Sequence, residues 1–250
     1  MRLAELTQYL DGYLRTSEVR DAAEALNGLQ VANQGEVTRL AAAVDLCEAT
    51  IRMAAEAGAD FLLVHHGLFW GGLHPLTGPA YWRVAGLITK NIALYSAHLP
   101  LDCHPEVGNN AVLARMLGVR LQGDFGVHEG QPVGVWGEVD LDRSVLTEKL
   151  RALLGQTPRL LPFGPARVAR VGIITGAGGS EIKHAAAAGL DTYITGEGEH
   201  WTYFDAEELR VNVFYAGHYA TETVGVKALA EHIQLKFAVP WVFLDHPTGL

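Results

Sequence analysis

The chain has 250 residues, 49% of them hydrophobic, and a formal net charge of −9 at pH 7. That length and apolar share allow a substantial core, in one large domain or two small lobes. Its 19 Lys and Arg residues are scattered, which excludes an extended nucleic-acid surface of clustered basic residues, and no apolar run approaches the ~20 residues that span a bilayer. Two distant cysteines, Cys47 and Cys103, form neither a disulfide framework nor a cysteine zinc site. The opening Met1 to Leu6 reads as amphipathic helix, with no secretion signal apparent, so a cytoplasmic protein is expected. An acidic protein that takes an anionic small molecule needs a local cation, and a bound metal is the simplest source.

In chain order, a helix is predicted over about Arg2 to Leu14, a turn at Asn27-Gly28 and a buried strand at Leu40 to Val44. A helix from about Cys47 to Ala57 closes on Gly58. Strand Phe61 to Val64 follows, then a Gly- and Pro-rich loop from Gly67 to Pro79, helix Ala80 to Lys90 and strand Ile92 to Ser96. Another helix is predicted over about 106 to 118. Val133 to Val139 alternates like a strand, and Ser144 to Leu154 reads as a helix capped by Ser144. Strand Val171 to Thr175, a glycine turn at Gly176 to Ser180 and helix Glu181 to Ala188 come next. Strand Thr192 to Thr195, an acidic loop, strand Val211 to Tyr215 and a long helix from about Glu222 to Phe237 complete the pattern. Strands alternating with helices imply an α/β protein with a largely parallel sheet.

Two stretches of this pattern repeat. Tyr95-Ser96-Ala97-His98-Leu99-Pro100-Leu101-Asp102 recurs as Tyr215-Ala216-Gly217-His218-Tyr219-Ala220-Thr221-Glu222, each copy with a carboxylate four residues after a histidine. Ala55 to Asp60, leading through an apolar run to His65-His66, parallels Ala186 to Asp191, leading through Thr192 to Thr195 to Gly196-Glu197. The longer interval between blocks in the first half fits its longer loop after His66. The chain therefore reads as a divergent duplication, two related α/β lobes of roughly 1–122 and 123–250, with a two-metal site expected between the halves.

His65 and His66 end a strand. Neighbouring strand residues point to opposite faces, so both are expected to reach one centre only where the strand breaks at Gly67. Carboxyl ends of strands are where open α/β sheets bind ligands. His218 and Glu222 share one face of a helix entry, whereas Pro100 predicts a loop for His98 to Asp102. Imidazole and carboxylate donors without thiolate suit zinc, manganese or iron better than calcium. The turn containing Gly178 and Gly179 either cradles a phosphate or is a tight strand-to-helix turn. Glu197, Glu199 and His200 either line the cleft as proton-transfer and substrate-binding groups or lie in solvent.

Asn27-Gly28-Leu29-Gln30-Val31, Val64-His65-His66-Gly67-Leu68-Phe69, Ala97-His98-Leu99-Pro100-Leu101-Asp102, Ile194-Thr195-Gly196-Glu197 and Ala216-Gly217-His218-Tyr219-Ala220-Thr221-Glu222 together resemble the GTP cyclohydrolase I type 2 homologue family. These are the NIF-three-like proteins, including the bacterial YbgI type, and the resemblance spans nearly the whole chain in order. It implies a NIF-three-like fold of two α/β lobes with mainly parallel or mixed sheets, assembled as a homohexamer. It also implies two divalent ions per chain (Zn, Fe or Mn) on His65, His66, Asp102, His218 and Glu222, with His98 lining the same cavity. Pro100 departs from the polar residue expected in that block.

Two functions follow as expectations. One is a metal-dependent hydrolase of a small molecule, GTP cyclohydrolase-like and acting on a C–N bond of a nucleotide, with His98 and Glu197 moving protons and Glu199, His200, Gly178 and Gly179 binding substrate. The alternative is a non-enzymatic protein that carries metal or serves interactions. Neither involves a membrane.

Overall fold

Leu40 to Val44 and Phe61 to Val64 are buried at every position, as strands covered on both faces of a parallel sheet must be. The computed structural model describes residues 1–22, 25–70, 72, 74–128 and 130–250; within the Gly67 to Pro79 loop, Gly71 and Leu73 lie outside the described residues. Two compact units result, Met1–Val107 with Gly225–His246 and Gly108–Val224 with Pro247–Leu250. The division thus falls at 107, not near 122, and the first unit is completed by a segment from the far end of the chain.

The first unit runs α1 (Leu3–Leu14), β1 (Gly28–Val31), β2 (Leu40–Asp45), α2 (Glu48–Glu56), β3 (Phe61–His66), α3 (Gly78–Thr89), β4 (Ala93–Ser96) and α4 (Leu99–Asp102). β2, β3 and β4 are parallel neighbours, and β1 pairs antiparallel with β4. Leu62, Val64, Leu94, Ile51, Ala54 and Leu87 form the core between strands and helices. Gly58 sits at φ +69 as the helix-terminating residue anticipated, because the left-handed region carries little penalty without a Cβ.

The strand breaks at Gly67 as expected: β3 runs Phe61–His66, two residues past the predicted end at Val64. Its pairing with β4 ends at Val64, while Asp45 of β2 still pairs with His66; on the β4 side His65 O accepts Ser96 Oγ–H instead. One local expectation fails for a physical reason: His98 to Asp102 is no loop. It is a helical turn with His98 at the N-cap and Pro100 in the first turn, where proline's missing N–H removes no helical hydrogen bond.

The second unit runs α5 (Asn109–Leu117), β5 (Arg120–His128), β6 (Gln131–Asp142), α6 (Arg143–Leu154), β7 (Arg159–Pro162), β8 (Arg167–Ile173), a 3-10 turn at Gly179–Glu181, α7 (Ile182–Ala187), β9 (Thr192–Thr195), α8 (Thr202–Leu209), β10 (Asn212–Tyr215) and α9 (His218–Phe237). Its sheet is ordered β5-β6-β8-β9-β10-β7. β8, β9 and β10 are parallel, and the remaining pairs are antiparallel. The core gathers Leu113, Leu117, Leu146, Leu150, Val171, Ile194 and Phe214. Ser144 does not cap α6, which begins one residue earlier after Asp142. The segment read as an acidic loop contains α8, whose buried positions are only Thr202 and Ala206, so no apolar stripe announces it.

α9 begins in the second unit and ends in the first, and β11 (Trp241–Phe243) then adds to the first sheet, parallel to β2, giving the order β1-β4-β3-β2-β11. The duplication is visible in both units as three parallel strands, β2-β3-β4 and β8-β9-β10. Its repeated aspartates do the same structural task. Asp60 accepts hydrogen bonds from Thr38 N and Arg39 N just before β2, and Asp191 accepts them from Ala169 N and Arg170 N in β8.

Candidate metal centre

In the first unit, the carboxyl ends of β2, β3 and β4 carry Asp45, His65 with His66, and, just past the strand, His98. Parallel strands put these ends along one edge of the sheet. The ring centroids of His65 and His66 are 4.6 Å apart, and His98 lies 5.0 and 5.7 Å from them. One ring nitrogen from each of the three falls within 4.8 Å of the others. Asp102, buried on α4, places Oδ2 3.5 Å from His65 Nε2. Trp70 packs edgewise on His98 and His66, at 4.9 and 5.8 Å between centroids.

Each of these imidazoles is held through Nδ1. His65 Nδ1 meets Ala97 O at 2.8 Å, His66 Nδ1 meets Asp45 Oδ1 at 2.8 Å, and His98 Nδ1 meets Asp21 Oδ1 at 2.7 Å. Burial opposes ionisation of Asp21, but hydrogen bonds from His98 and Asn27 outweigh it and hold its carboxyl below the ordinary carboxylate range. Gln30 secures the loop after the histidines by accepting Leu68 N–H at 2.7 Å. Gly67 is confined there, since a Cβ would come within 2.6 Å of Gln30 and 2.7 Å of Ser96 Cβ.

The second unit holds a smaller set at the start of α9. His218 Nε2 lies 3.2 Å from Glu222 Oε1, the spacing of four placing both on one helical face as expected, while His218 Nδ1 meets Glu197 Oε1 at 2.7 Å. Burial alone would lower the His218 pKa, but Glu222 and Glu197 overcome it and push it up to about 9. Gly176, at φ +67, makes room for this pair: a Cβ there would stand 2.2 Å from Glu222 Oε1 and 3.4 Å from His218 Nε2.

The other residues singled out from the sequence separate. Gly179, Glu197 and Glu199 line a cavity of about 230 Å³ together with Ala177 and Gly198. Gly178 is tied up within its turn: its N–H donates to Thr195 Oγ1, and its carbonyl accepts Tyr193 O–H. Gly179 lies against Gly198, whose Cα a Cβ would approach to 2.3 Å. Close packing accounts for these two glycines. His200 is exposed and packs edgewise on Phe204 at 5.7 Å. Asp21 and Asp45 escaped the sequence reading, which placed Gly176 in a turn but not beside the donors. Asp45 stands at a strand end like the histidines and could have been noticed for that reason; Asp21 lies in a segment without periodicity.

These donors fit divalent metal. A histidine anchored through Nδ1 on a carbonyl or carboxylate oxygen, as His65, His66 and His218 are, would hold an ion through Nε2, the outer arrangement common to metal-binding histidines. The His65–Asp102 and His218–Glu222 spacings of 3.5 and 3.2 Å suit neighbouring donors on one tetrahedral ion, about 3.3 Å apart for bonds of about 2.0–2.1 Å.

A family model described as Duf34/NIF3 (NGG1p interacting factor 3) matches residues 1–248. A Deinococcus radiodurans protein called GTP cyclohydrolase 1 type 2 homolog is 46% identical over 98% of this chain and 94% of its own. A Pseudomonas aeruginosa protein of the same name is 36% identical over 98% and 97%. Among solved structures, protein ybgI, of unknown function, matches with TM-score 0.93 and 37% identity over 100% of both chains. A Thermus thermophilus protein matches with TM-score 0.91 and 43% identity, also over 100% of both.

Proposed function

The chain belongs to the Duf34/NIF3 family, and from that premise we propose that it binds two divalent ions (Zn, Fe or Mn) and is a metal-dependent hydrolase of a small molecule. His65, His66 and Asp102 hold metal in the first unit, and His218 with Glu222 in the second. The observation that carries this reading is the Nδ1 anchoring of four histidines that gather at strand ends beside Asp102 and Glu222, which suits ligands or bases acting through Nε2. Divalent ions so held supply Lewis acidity, polarising an electrophile and lowering the pKa of water toward neutrality. The chain's own groups fix the donors and exclude bulk solvent from His65, which is fully buried, while His98 exchanges protons with the substrate.

The relatives' name, GTP cyclohydrolase 1 type 2 homolog, supports a C–N bond of a nucleotide as the target. The cavity of about 230 Å³ beside Glu197 and Glu199 is below the ~300 Å³ of ordinary ligand pockets and accepts one ring or headgroup of such a molecule. A second reading, carriage of metal without turnover, is favoured by one observation: Glu197, offered by the sequence as a proton-transfer group, is engaged with His218 Nδ1. Elemental analysis of untagged protein purified without added metal, then a screen of nucleotides and other cyclic C–N substrates with that metal restored, tests both. Two ions with turnover supports the hydrolase; two ions without turnover on any of them supports carriage; no ion refutes both.

We also place the protein in the cytoplasm as a homohexamer. Support for assembly comes from exposed aromatics, with Trp82 at 60%, Trp201 at 45% and Phe204 at 48% exposure, side chains that interfaces favour. Among the described residues, no helix is long and apolar enough to cross a membrane.

A further inference from the structure

We propose that Asp21 is a positioning residue which, with Asn27, holds His98 in the tautomer that carries its proton on Nδ1 and presents Nε2 as an acceptor. The Asp21 side chain is only 6% exposed, and it is saturated. Oδ1 accepts Ala22 N–H at 2.7 Å and His98 Nδ1 at 2.7 Å, while Oδ2 accepts Asn27 Nδ2 at 2.8 Å and Leu99 N–H at 3.1 Å. An ionised carboxylate has about four acceptor sites and no proton to give. Three donors besides His98 (Ala22 N–H, Asn27 Nδ2 and Leu99 N–H) favour the ionised carboxylate, which has no proton to give, so the proton shared with His98 resides on the imidazole.

Asn27 closes the arrangement. Its Oδ1 accepts His98 N–H at 2.8 Å, which turns its amide nitrogen toward Asp21. One asparagine thus grips both members, and this gives the Asn27-Gly28 motif a role. Neither neighbouring histidine is held in this way. His65 leans on a backbone carbonyl, which no side-chain substitution can alter, and His66 leans on Asp45, whose side chain is 37% exposed and open to water. His98 combines a buried carboxylate with a second residue that fixes the carboxylate in turn. A neutral ring locked with Nδ1–H is ready to take a proton at Nε2 without reorienting, which general-base action requires. That functional consequence rests on the hydrolase reading; the tautomer does not.

The substitution Asp21→Asn makes a test, because the two ends of the new amide differ in what they face. An NH₂ at the Oδ2 position would face two donors, Asn27 Nδ2 and Leu99 N–H, neither of which can become an acceptor while Asn27 holds His98 N–H. At the Oδ1 position it gives up the Ala22 N–H but faces only one further donor, His98 Nδ1, which becomes an acceptor if the ring moves its proton to Nε2. Asp21→Asn should therefore switch the His98 tautomer.

Long-range proton–nitrogen NMR of the histidine rings in chelator-treated protein reads this directly at about pH 8, with His98→Gln assigning the signals. Wild type is expected to show Nε2 as the unprotonated nitrogen, and Asp21→Asn to show Nδ1 instead. Asp21→Ala, lacking any partner for Nδ1, is expected to give both forms in exchange. Wild-type His98 protonated on Nε2 overturns the proposal even if no variant folds, as does an Asp21→Asn ring that keeps Nδ1–H. Metal content is measured separately on the untreated chain. A chain that takes no ion removes the hydrolase reading while the tautomer still decides the role of Asp21.

Discussion

Replacing Gly176 by alanine should damage the second unit's donor pair in a way a matched control isolates. Two costs are expected. The backbone sits at φ +67, and an L-residue held in the left-handed region costs about 1–2 kcal/mol. The added Cβ would also stand 2.2 Å from Glu222 Oε1, so the carboxylate must move; overpacking of this kind costs a further ~1–3 kcal/mol. Gly58 provides the control, with φ +69 and nothing within 4 Å of its Cβ position. Gly58→Ala should carry the backbone cost alone. For a chain this long, 1 kcal/mol shifts the melting midpoint by about 2–4 °C. Gly58→Ala is therefore expected to melt a few degrees low with its metal content intact. Gly176→Ala should melt lower still, by about 2–12 °C, and lose metal as Glu222 is displaced. Differential scanning calorimetry and elemental analysis on the two variants read both effects. Equal midpoints and equal metal content would show that the contact with Glu222 has no consequence and would refute the reasoning.

Three further outcomes are expected. His98→Ala should cut turnover by about 10²–10⁴-fold with most metal retained, while His65→Ala should lose both; equal metal loss by atomic absorption would make His98 a ligand instead. His232, stacked on Tyr13 at 4.2 Å and bonded to Tyr9 Oη at 2.6 Å, has its pKa lowered mainly by burial. A depressed histidine contributes stability that is present above its ordinary pKa of about 6.5 and lost as pH falls through the lower folded value. His232→Phe, which keeps a ring in the stack, should flatten that acid limb in denaturant midpoints taken across pH 5 to 8, and an unchanged pH profile would count against the assignment. Light scattering at micromolar concentration should find an assembly of six chains; a particle of 27.0 kDa would refute it.

The fold was legible where burial leaves its mark in runs of residues. Leu40 to Val44, Phe61 to Val64 and Thr192 to Thr195 read as strands because nearly every position is apolar or small, and all are buried. α8 was missed because tertiary context holds it with little apolar periodicity, and the α4 turn because proline was weighed as a breaker without regard to its place in the first turn. The candidate donors were visible through their repetition, since His98 and His218 stand at the start of α4 and α9 after equivalent strands. Their supports were not. Asp21 and His98 are far apart in sequence, as are Glu197 and His218, and no local pattern encodes hydrogen bonds formed only when strands and loops meet.

The return of β11 to the first sheet has a consequence for the order in which the chain is made. Val242 registers beside Ala41, a pairing whose partners emerge from the ribosome about 10–40 s apart at ordinary synthesis rates. Nearly all of the second unit, Gly108–Val224, is complete before that partner exists. Until then β2 presents a bare edge whose stretch Leu40-Ala41-Ala42-Ala43-Val44 is uncharged and apolar, the kind of edge that pairs with strangers. The second unit can therefore mature first, and the first unit waits with this edge of β2 uncovered until β11 arrives to seal it.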